Sequence, residues 1–371
     1  MLANEERSRY IIGIDLGTTN VCVAYVDTNT EKKSYGRIDQ LMIPQMVEAG
    51  FWNEKSTLPS FYYALSNEES SRQEFQEPWS SGKRYIVGEY AKKLGSQSSS
   101  RLVSSAKSWL CHPSAALQDR FLPLQSLDDI EKASPVEVSA AYLQHIKEAW
   151  DVTIARGDPL KEFCQQEIII TLPASFNEIA RQLTIEAANL AQYPKLTLLE
   201  EPQAAFYYWM SRNNSLFGTF FEDKNSILIC DVGGGTTDFS WLQVSKKDEK
   251  IDFQRMAVGR HMLVGGDNMD VAIAHHLEKL FFDETGSEIS SQQWHEMLCS
   301  ARTIKEDVFD ENCSKDTFRV VLQGTGSSLV GGSVQIDVKT KSIRSLILDG
   351  FFGEYTLEEA INIQRSSALR H

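Results

Sequence analysis

The feature that most restricts the fold of this chain is a motif that occurs twice. IIGIDLGTTNVCVAYV (11–26) and ILICDVGGGTTDFSWLQV (227–244) share one plan. Each runs an apolar strand into an aspartate, one hydrophobic residue, glycine, a Thr-Thr pair and a second alternating strand. Glycine weakens a strand interior, so three in succession at Gly233, Gly234 and Gly235 require a reason. Without a side chain, backbone N–H groups come close to a ligand, and successive N–H groups in a turn form a concavity suited to phosphate. Thr18, Thr19, Thr236 and Thr237 put hydroxyls on the same edge. Asp15 and Asp231 would repel a bare phosphate and so call for a cation between them. Mg²⁺ keeps most of its waters and is held by one or two carboxylates plus phosphate oxygens. A single glycine hairpin would be an ordinary tight turn. Two copies with the aspartate at one offset predict a metal–polyphosphate clamp. The separation is too long for a solenoid repeat, so each copy is expected to open its own lobe, a βββ-α core facing its twin across a cleft. Neither copy is a G-x-G-x-x-G turn entering a helix, and no G-x-x-x-x-G-K-[ST] occurs.

Composition narrows the function classes. With 371 residues the chain has room for two domains, and at 42% apolar content it reads as globular. A net charge of −14 without a Lys/Arg block argues against nucleic acid and anionic membranes as partners. Six scattered cysteines contain no C-x-x-C pair, which excludes the common zinc patterns and suggests reduced thiols. The seven histidines include no H-E-x-x-H, and His275 and His276, being adjacent, cannot share a helix face. The N-terminus has neither a signal-peptide pattern nor an apolar span, so a cytoplasmic setting is expected.

Along the chain, LPSFYYAL (58–65) predicts a strand and SSRQEFQEPWSSGK a loop. SPVEVSAAYLQHIKEAWDVTIARG predicts a helix with Ser-Pro at its start and glycine at its end. EIIITLPASF is a buried strand before the amphipathic helix NEIARQLTIEAANLA. KLTLLEEPQAAFYYWMSRN turns from strand to helix at Glu201-Pro202. VGGDNMDVAIAHHLEKLFF and SSQQWHEMLCSARTIKEDVF are helical, and everything from Phe318 to Phe352 reads as β-structure before a polar tail.

From about Tyr10 to Asp310 these motifs, in this order, resemble the nucleotide-binding domain of the seventy-kilodalton heat-shock chaperones (DnaK-like). GIDLGTTN resembles the first phosphate motif and CDVGGGTTDFS the second, while ITLPASFNEIARQ resembles the first connecting motif. YIVGEYAKK resembles the segment with the catalytic lysine, LLEEPQAAF that with the active-site glutamate, and VGGDNMD a third glycine pair. The resemblance implies an α/β, two-lobed actin/hexokinase-like ATPase fold with a duplicated ribonuclease-H-like core. Lobe I is expected over 1–222 (core 1–60 and 138–222, with an inserted outer subdomain 61–137). Lobe II is expected over 223–371 (core 223–262, outer subdomain 263–371).

The resemblance also implies ATP or ADP with Mg²⁺ and K⁺ in the cleft, and hydrolysis by an activated water. Lys92, Glu201 and Asp231 fall on its catalytic positions, with Lys92 meeting the transferring phosphate. Asp15 and Asp231 would hold the hydrated magnesium, and Asp238 would lie beside the monovalent ion. Gly17, Thr18, Thr19, Asn20, Gly233, Gly234, Gly235 and Thr236 would surround the phosphates. Gly265 and Gly266 would approach the nucleotide, and Arg302 and Lys305 in SARTIKEDV would hold the base and ribose. Arg302 stands where the family has a glutamate, and Glu306 where it has an arginine.

VGGS (330–333) is read as a hairpin turn and not as the family's adenine motif. The chain therefore looks like a nucleotide-binding domain whose C-terminal part of the second lobe is missing, without a peptide-binding domain. A monomer is expected, with co-chaperones or client proteins as partners. The competing readings are a small-molecule kinase, an actin-like assembly protein and a nucleotide-sensing regulator of the same fold.

Overall fold

The computed structural model describes residues 8–29, 37–80, 82–110, 119–124, 130–194, 196–213, 225–247, 250–259, 262–323, 333–359 and 361–362. The chain divides into two compact units, Met1–Gly266 and Asp267–His371. The lobe boundary expected between residues 222 and 223 lies outside the described residues.

In the first unit the N-terminal copy of the motif forms β1 (Tyr10–Leu16) and β2 (Asn20–Asp27), an antiparallel pair in which Asp15 faces Cys22. Ile12, Ile14, Val21 and Val23 alternate inward and are fully buried, as a strand period of two requires. β10 (Glu167–Leu172) and β11 (Leu196–Glu200) add in parallel, and β3 (Asp39–Gln40) closes the order β11-β10-β1-β2-β3. Two helices cover this sheet's apolar side chains. α4 (Pro135–Trp150) opens with a capping box between Ser134 and Glu137, with proline in its first turn. α5 (Glu178–Leu190) is capped by Asn177. Leu143, Ile146 and Trp150 of α4 share one core with Ile12, Ile14, Ile168, Ile170 and Ala187. α4 ends in a wider turn, Asp151–Ala155, before Arg156 takes a left-handed conformation.

Before α4 come β4 (Ile43–Glu48), β5 (Phe51–Lys55), β6 (Leu58–Pro59), β7 (Phe61–Ala64), β8 (Tyr85–Val87) and β9 (Leu102–Ser104). β6 pairs with β2 on the main sheet, while β4-β5 and β8-β7-β9 make two small sheets around α2 (Glu89–Gln97), over a core of Met46, Phe61, Tyr63, Ile86 and Ala91. Just before the loop expected over 70–83, and running into its first two residues, is a short helix, α1 (Asn67–Ser71), closed by a capping box from Ser66 and Glu69. The single strand expected over 58–65 is divided at Ser60. Its amide donates to the Thr19 carbonyl (2.8 Å) and its hydroxyl to the Gly17 carbonyl (2.8 Å), so the break ties this region to the first hairpin turn.

The second copy forms β12 (Asn225–Val232) and β13 (Thr237–Lys247), extended by β14 (Lys250–Val258) into an antiparallel sheet. α6 (Glu201–Arg212) lays Phe206 on Leu242 and Val244 of that sheet.

The second unit holds α7 (Gly266–Thr285) from Asp267 onward, α8 (Ser291–Val308), the hairpin β15 (Thr317–Gln323) and β16 (Ser333–Lys339), and α9 (Thr340–Phe351). α9 corrects the sequence expectation of continued β-structure. Ile343 and Ile347 lie four apart, a helical spacing, and both are buried against Ile273, Leu277 and Ile304. Residues 330–332 of the VGGS stretch lie outside the described residues, and Ser333 opens β16 opposite Gln323. Among the described residues no helix is long and apolar enough to cross a membrane.

Candidate functional site

Both hairpin turns open onto one cleft of about 740 Å³ within the first unit. Its wall takes Asp15, Gly17, Thr18, Thr19 and Asn20 from the first turn, and Asp231, Gly233, Gly234 and Thr236 from the second. At the tip the two turns touch. A Cβ built on Gly235 would lie 3.3 Å from the Thr18 methyl and 2.6 Å from the Ser108 hydroxyl, so a side chain there would displace that hydroxyl and press on Thr18. Gly17 is equally confined, since a Cβ there would meet the Asn20 carbonyl oxygen at 2.4 Å.

Glu201 begins α6 and reaches the same cleft, where its Oε1 accepts from Lys107 Nζ at 2.7 Å. Lys107 sits on a one-turn helix, α3 (Ala106–Trp109), is only 8% exposed, and holds its ammonium 5.6 Å from the Phe176 ring centroid. Thr171 at the end of β10 donates its hydroxyl to Asp15 Oδ1 at 3.1 Å. Asp231 lies close to Glu201, Asp15 and Asp238.

The electrostatics follow from that crowding. Burial pushes the Glu201 carboxyl up, and the charges of Asp15 and Asp231 push it further against the opposing pull of Lys107. Burial also raises Asp231, with Asp15 and Asp238 adding to the shift. Carboxylates shifted this way by like charges mark a site short of positive charge. Cys22, across the ladder from Asp15, has its thiol pushed up by burial and by that same aspartate.

Several expected placements change. Lys92 lies on α2 with its amine 6.0 Å from the Phe61 ring centroid and is not on the cleft wall; the lysine at Glu201 is Lys107. Lys92 and Lys93 stand in a family-like sequence context, while Lys107 in SAKSWL carries no motif that spacing alone could rank. The Gly233 amide donates within its own turn to the Thr236 carbonyl (2.8 Å), so it closes the turn instead of facing a ligand. Thr237 donates its hydroxyl to the Val264 carbonyl at 2.7 Å and thereby ties the turn to the following segment. Gly235 faces Ser108 and Thr18. Gly265 packs behind the turn, where a Cβ would meet the Gly233 and Gly234 carbonyl oxygens at 2.5 and 2.6 Å, and the Gly266 amide donates to the Gly233 carbonyl at 3.0 Å. Asp238 is buried opposite Asp231 in the ladder.

Arg302 and Lys305, in the second unit, pair with α7 carboxylates. Arg302 reaches Asp270 at 2.8 Å and Asp267 at 2.9 Å, and Lys305 lies 2.6 Å from Asp270. Thr171, Ser60 and Ser108 had no sequence signal beyond lying next to apolar strands or helices.

A model of the Hsp70 protein family matches residues 84–321. The chain belongs to the Hsp70 family. The matched stretch contains Lys107, Glu201 and the second hairpin. Hsp70 relatives extend the likeness. The chaperone protein HscA homolog of Shewanella baltica (strain OS155) is 29% identical over 328 residues, covering 88% of this chain and 46% of the relative. That of Acinetobacter baylyi is 29% identical over 329 residues, covering 85% and 46%. The chaperone protein DnaK of Anaplasma marginale is 27% identical over 290 residues, covering 75% and 37%. The chain thus spans less than half the length of these Hsp70 relatives.

Proposed function

We propose that this chain is the ATP-binding and ATP-hydrolysing module of a heat-shock-type chaperone, with two lobes of the actin/hexokinase-like fold meeting at the two hairpins. One observation carries the reading: Asp15 and Asp231, from the two copies of the motif, share a cleft with the Lys107–Glu201 pair. The donor set suits a hydrated divalent ion. Among the described lining residues, Asp15, Asp231 and Glu201 face one ammonium, that of Lys107, so this lining is short of positive charge. Among the described residues no three His, Cys, Asp or Glu side chains converge into a direct cage. That combination fits Mg²⁺, which keeps its waters and takes few carboxylates. Asp15 and Asp231 would hold the hydrated ion, which would supply charge neutralisation to the phosphates.

The chain's own groups do the rest. The turns at Thr18–Asn20 and Gly234–Thr236 bring backbone N–H groups and hydroxyls to the phosphate oxygens. Lys107 offers a point charge to the transferring group. Glu201, held by Lys107, and Asp231 orient the attacking water; the transition state is loose, so positioning and charge neutralisation outweigh base strength. Asp238 is the residue beside which the family resemblance puts K⁺. Client proteins and co-chaperones belong to this reading as partners.

Phosphate release from Mg·ATP tests it. Hydrolysis by the parent protein is expected without any added acceptor, as a small-molecule kinase would not show. Lys107→Met is expected to slow hydrolysis by about 100-fold while Mg·ADP binding persists, the scale of losing one electrostatic group. Lys92→Ala is expected to hydrolyse ATP like the parent. A parent that binds Mg·ATP without turnover would identify a nucleotide sensor instead.

A further inference from the structure

Glu200 and Glu201 are neighbours whose side chains serve different places. Glu201 faces the cleft, while Glu200 ends β11 and occupies the N-cap position of α6 without making a capping bond. Its carboxylate is 13% exposed and takes one arginine from each side. Oε1 accepts from Arg181 Nη2 at 3.1 Å, and Oε2 is in close contact with Arg255 Nη1. Arg181 belongs to α5, which packs under the first sheet, and its Nε also donates to the Phe176 carbonyl at 3.2 Å. Phe176 is the ring beneath the Lys107 ammonium. Arg255 belongs to β14 and stands opposite Leu242 in β13, the strand that leads from the second hairpin turn.

We infer that Glu200 is a positioning residue, a two-arginine clasp that holds the second hairpin's sheet against the first and so fixes the distance between Asp15 and Asp231. The physical case is that of a bridging charge. One carboxylate between two guanidiniums forms charge-assisted hydrogen bonds to both and cancels their mutual repulsion. With a neutral amide in its place, the guanidiniums of α5 and β14 repel each other across the junction of the two sheets. The peptide link to Glu201 carries any displacement straight to the group that meets Lys107. Glu200 is 13% exposed and the arginines 24% and 41%, so loss of the carboxylate costs stability as well as placement, and melting temperature and turn exchange read the two separately.

This role rests on the ATP reading, and the test separates the two. Glu200→Gln, Arg255→Gln, their double variant and Arg255→Lys are compared by kcat and KM for Mg·ATP. Amide hydrogen exchange at 15–20 and 233–237 is followed alongside in nucleotide-free protein. The expected result for Glu200→Gln is faster exchange at both turns and a kcat lower by about 10-fold with KM nearly unchanged, well within the loss that a small misplacement causes. Arg255→Gln should match it, the double variant should be no worse than either, and Arg255→Lys should recover most of the activity. Rising NaCl should loosen the parent's turns toward the behaviour of the variants.

Unchanged turn exchange in Glu200→Gln overturns the clasp, and so does a lowered melting temperature with normal exchange and kcat. A parent without ATP hydrolysis overturns the ATP reading alone, and turn exchange then decides the clasp. If Glu200→Gln fails to fold, Arg255→Gln on its exposed strand position decides by the same readouts.

Discussion

Asp231 shows how a site residue can work against its own fold. Its carboxyl is pushed up from 3.8 by burial and by Asp15 and Asp238, so folding favours the protonated form. A raised group of this kind contributes stability that is present below pH 3.8 and is lost as pH rises through its folded-state value. Asp231→Asn copies the protonated form. At pH 7 it is therefore expected to raise the melting temperature of the nucleotide-free protein and to remove that part of the pH dependence, as calorimetry across pH would show. The same change should weaken Mg²⁺-dependent ADP binding by about 10- to 100-fold, the usual result of disturbing a metal's carboxylate surroundings. A variant that lost stability and kept its magnesium dependence would remove Asp231 from the clamp. At this scale the motif residues were legible because glycine and aspartate have few reasons to recur at one offset. Lys107 was not, because a lysine earns its place in this cleft by burial against Phe176 and Glu201, and burial has no local spacing.

Among the elements, α4 is joined to the region before it by a buried charge cluster. His145 Nδ1 lies 3.0 Å from Glu77 Oε1, and its Nε2 lies 2.9 Å from the Pro44 carbonyl oxygen. Lys83 pairs with Glu77 and, at 2.5 Å, with Glu148. Burial would raise Glu77, but His145 and Lys83 more than offset it and hold the carboxyl at about 2. A lowered carboxylate contributes stability above its ordinary value of 4.5 that is lost as pH falls from there to about 2. Urea midpoints measured down that range should decline in the parent, and Glu77→Gln should flatten the decline. At pH 7 that variant should also be destabilised by about 3–5 kcal/mol, since it leaves buried partners uncompensated. The element pattern was readable wherever one face repeats, as in α4, α5 and the two hairpins. It failed at α9, where TKSIRSLILDGF alternates well enough to pass for a strand until Ile343 and Ile347 meet a core that favours the helical spacing. It failed again at Ser60, whose bonds to the first turn divide what reads as one strand.

For the whole molecule, the two compact units have separate cores, one around Trp150 and Ile14, the other around Leu277, Ile304 and Ile343. In the second unit Asp270, 1% exposed, draws Arg302 and Lys305 of α8 onto α7. Asp270→Ala leaves two cations without their buried partner and should cost about 3–5 kcal/mol. Because the cores share no residue, its effect and that of Glu77→Gln should add to within about 0.5 kcal/mol. Hydrogen exchange should quicken in α7 and α8 while α4 stays protected. The amino-acid sequence alone determined that two glycine turns with matched aspartates exist, that each sits between alternating strands, and that the surrounding motifs are those of the Hsp70 family. These are local properties, written in spacing and residue type. Only the tertiary structure decided which lysine joins Glu201, which amides and hydroxyls the turns consume internally, and that Glu200 and Glu201 face different partners. Each of those outcomes depends on contacts between residues far apart in the chain, and the physical cause, burial beside a particular charge, exists only once the chain has folded.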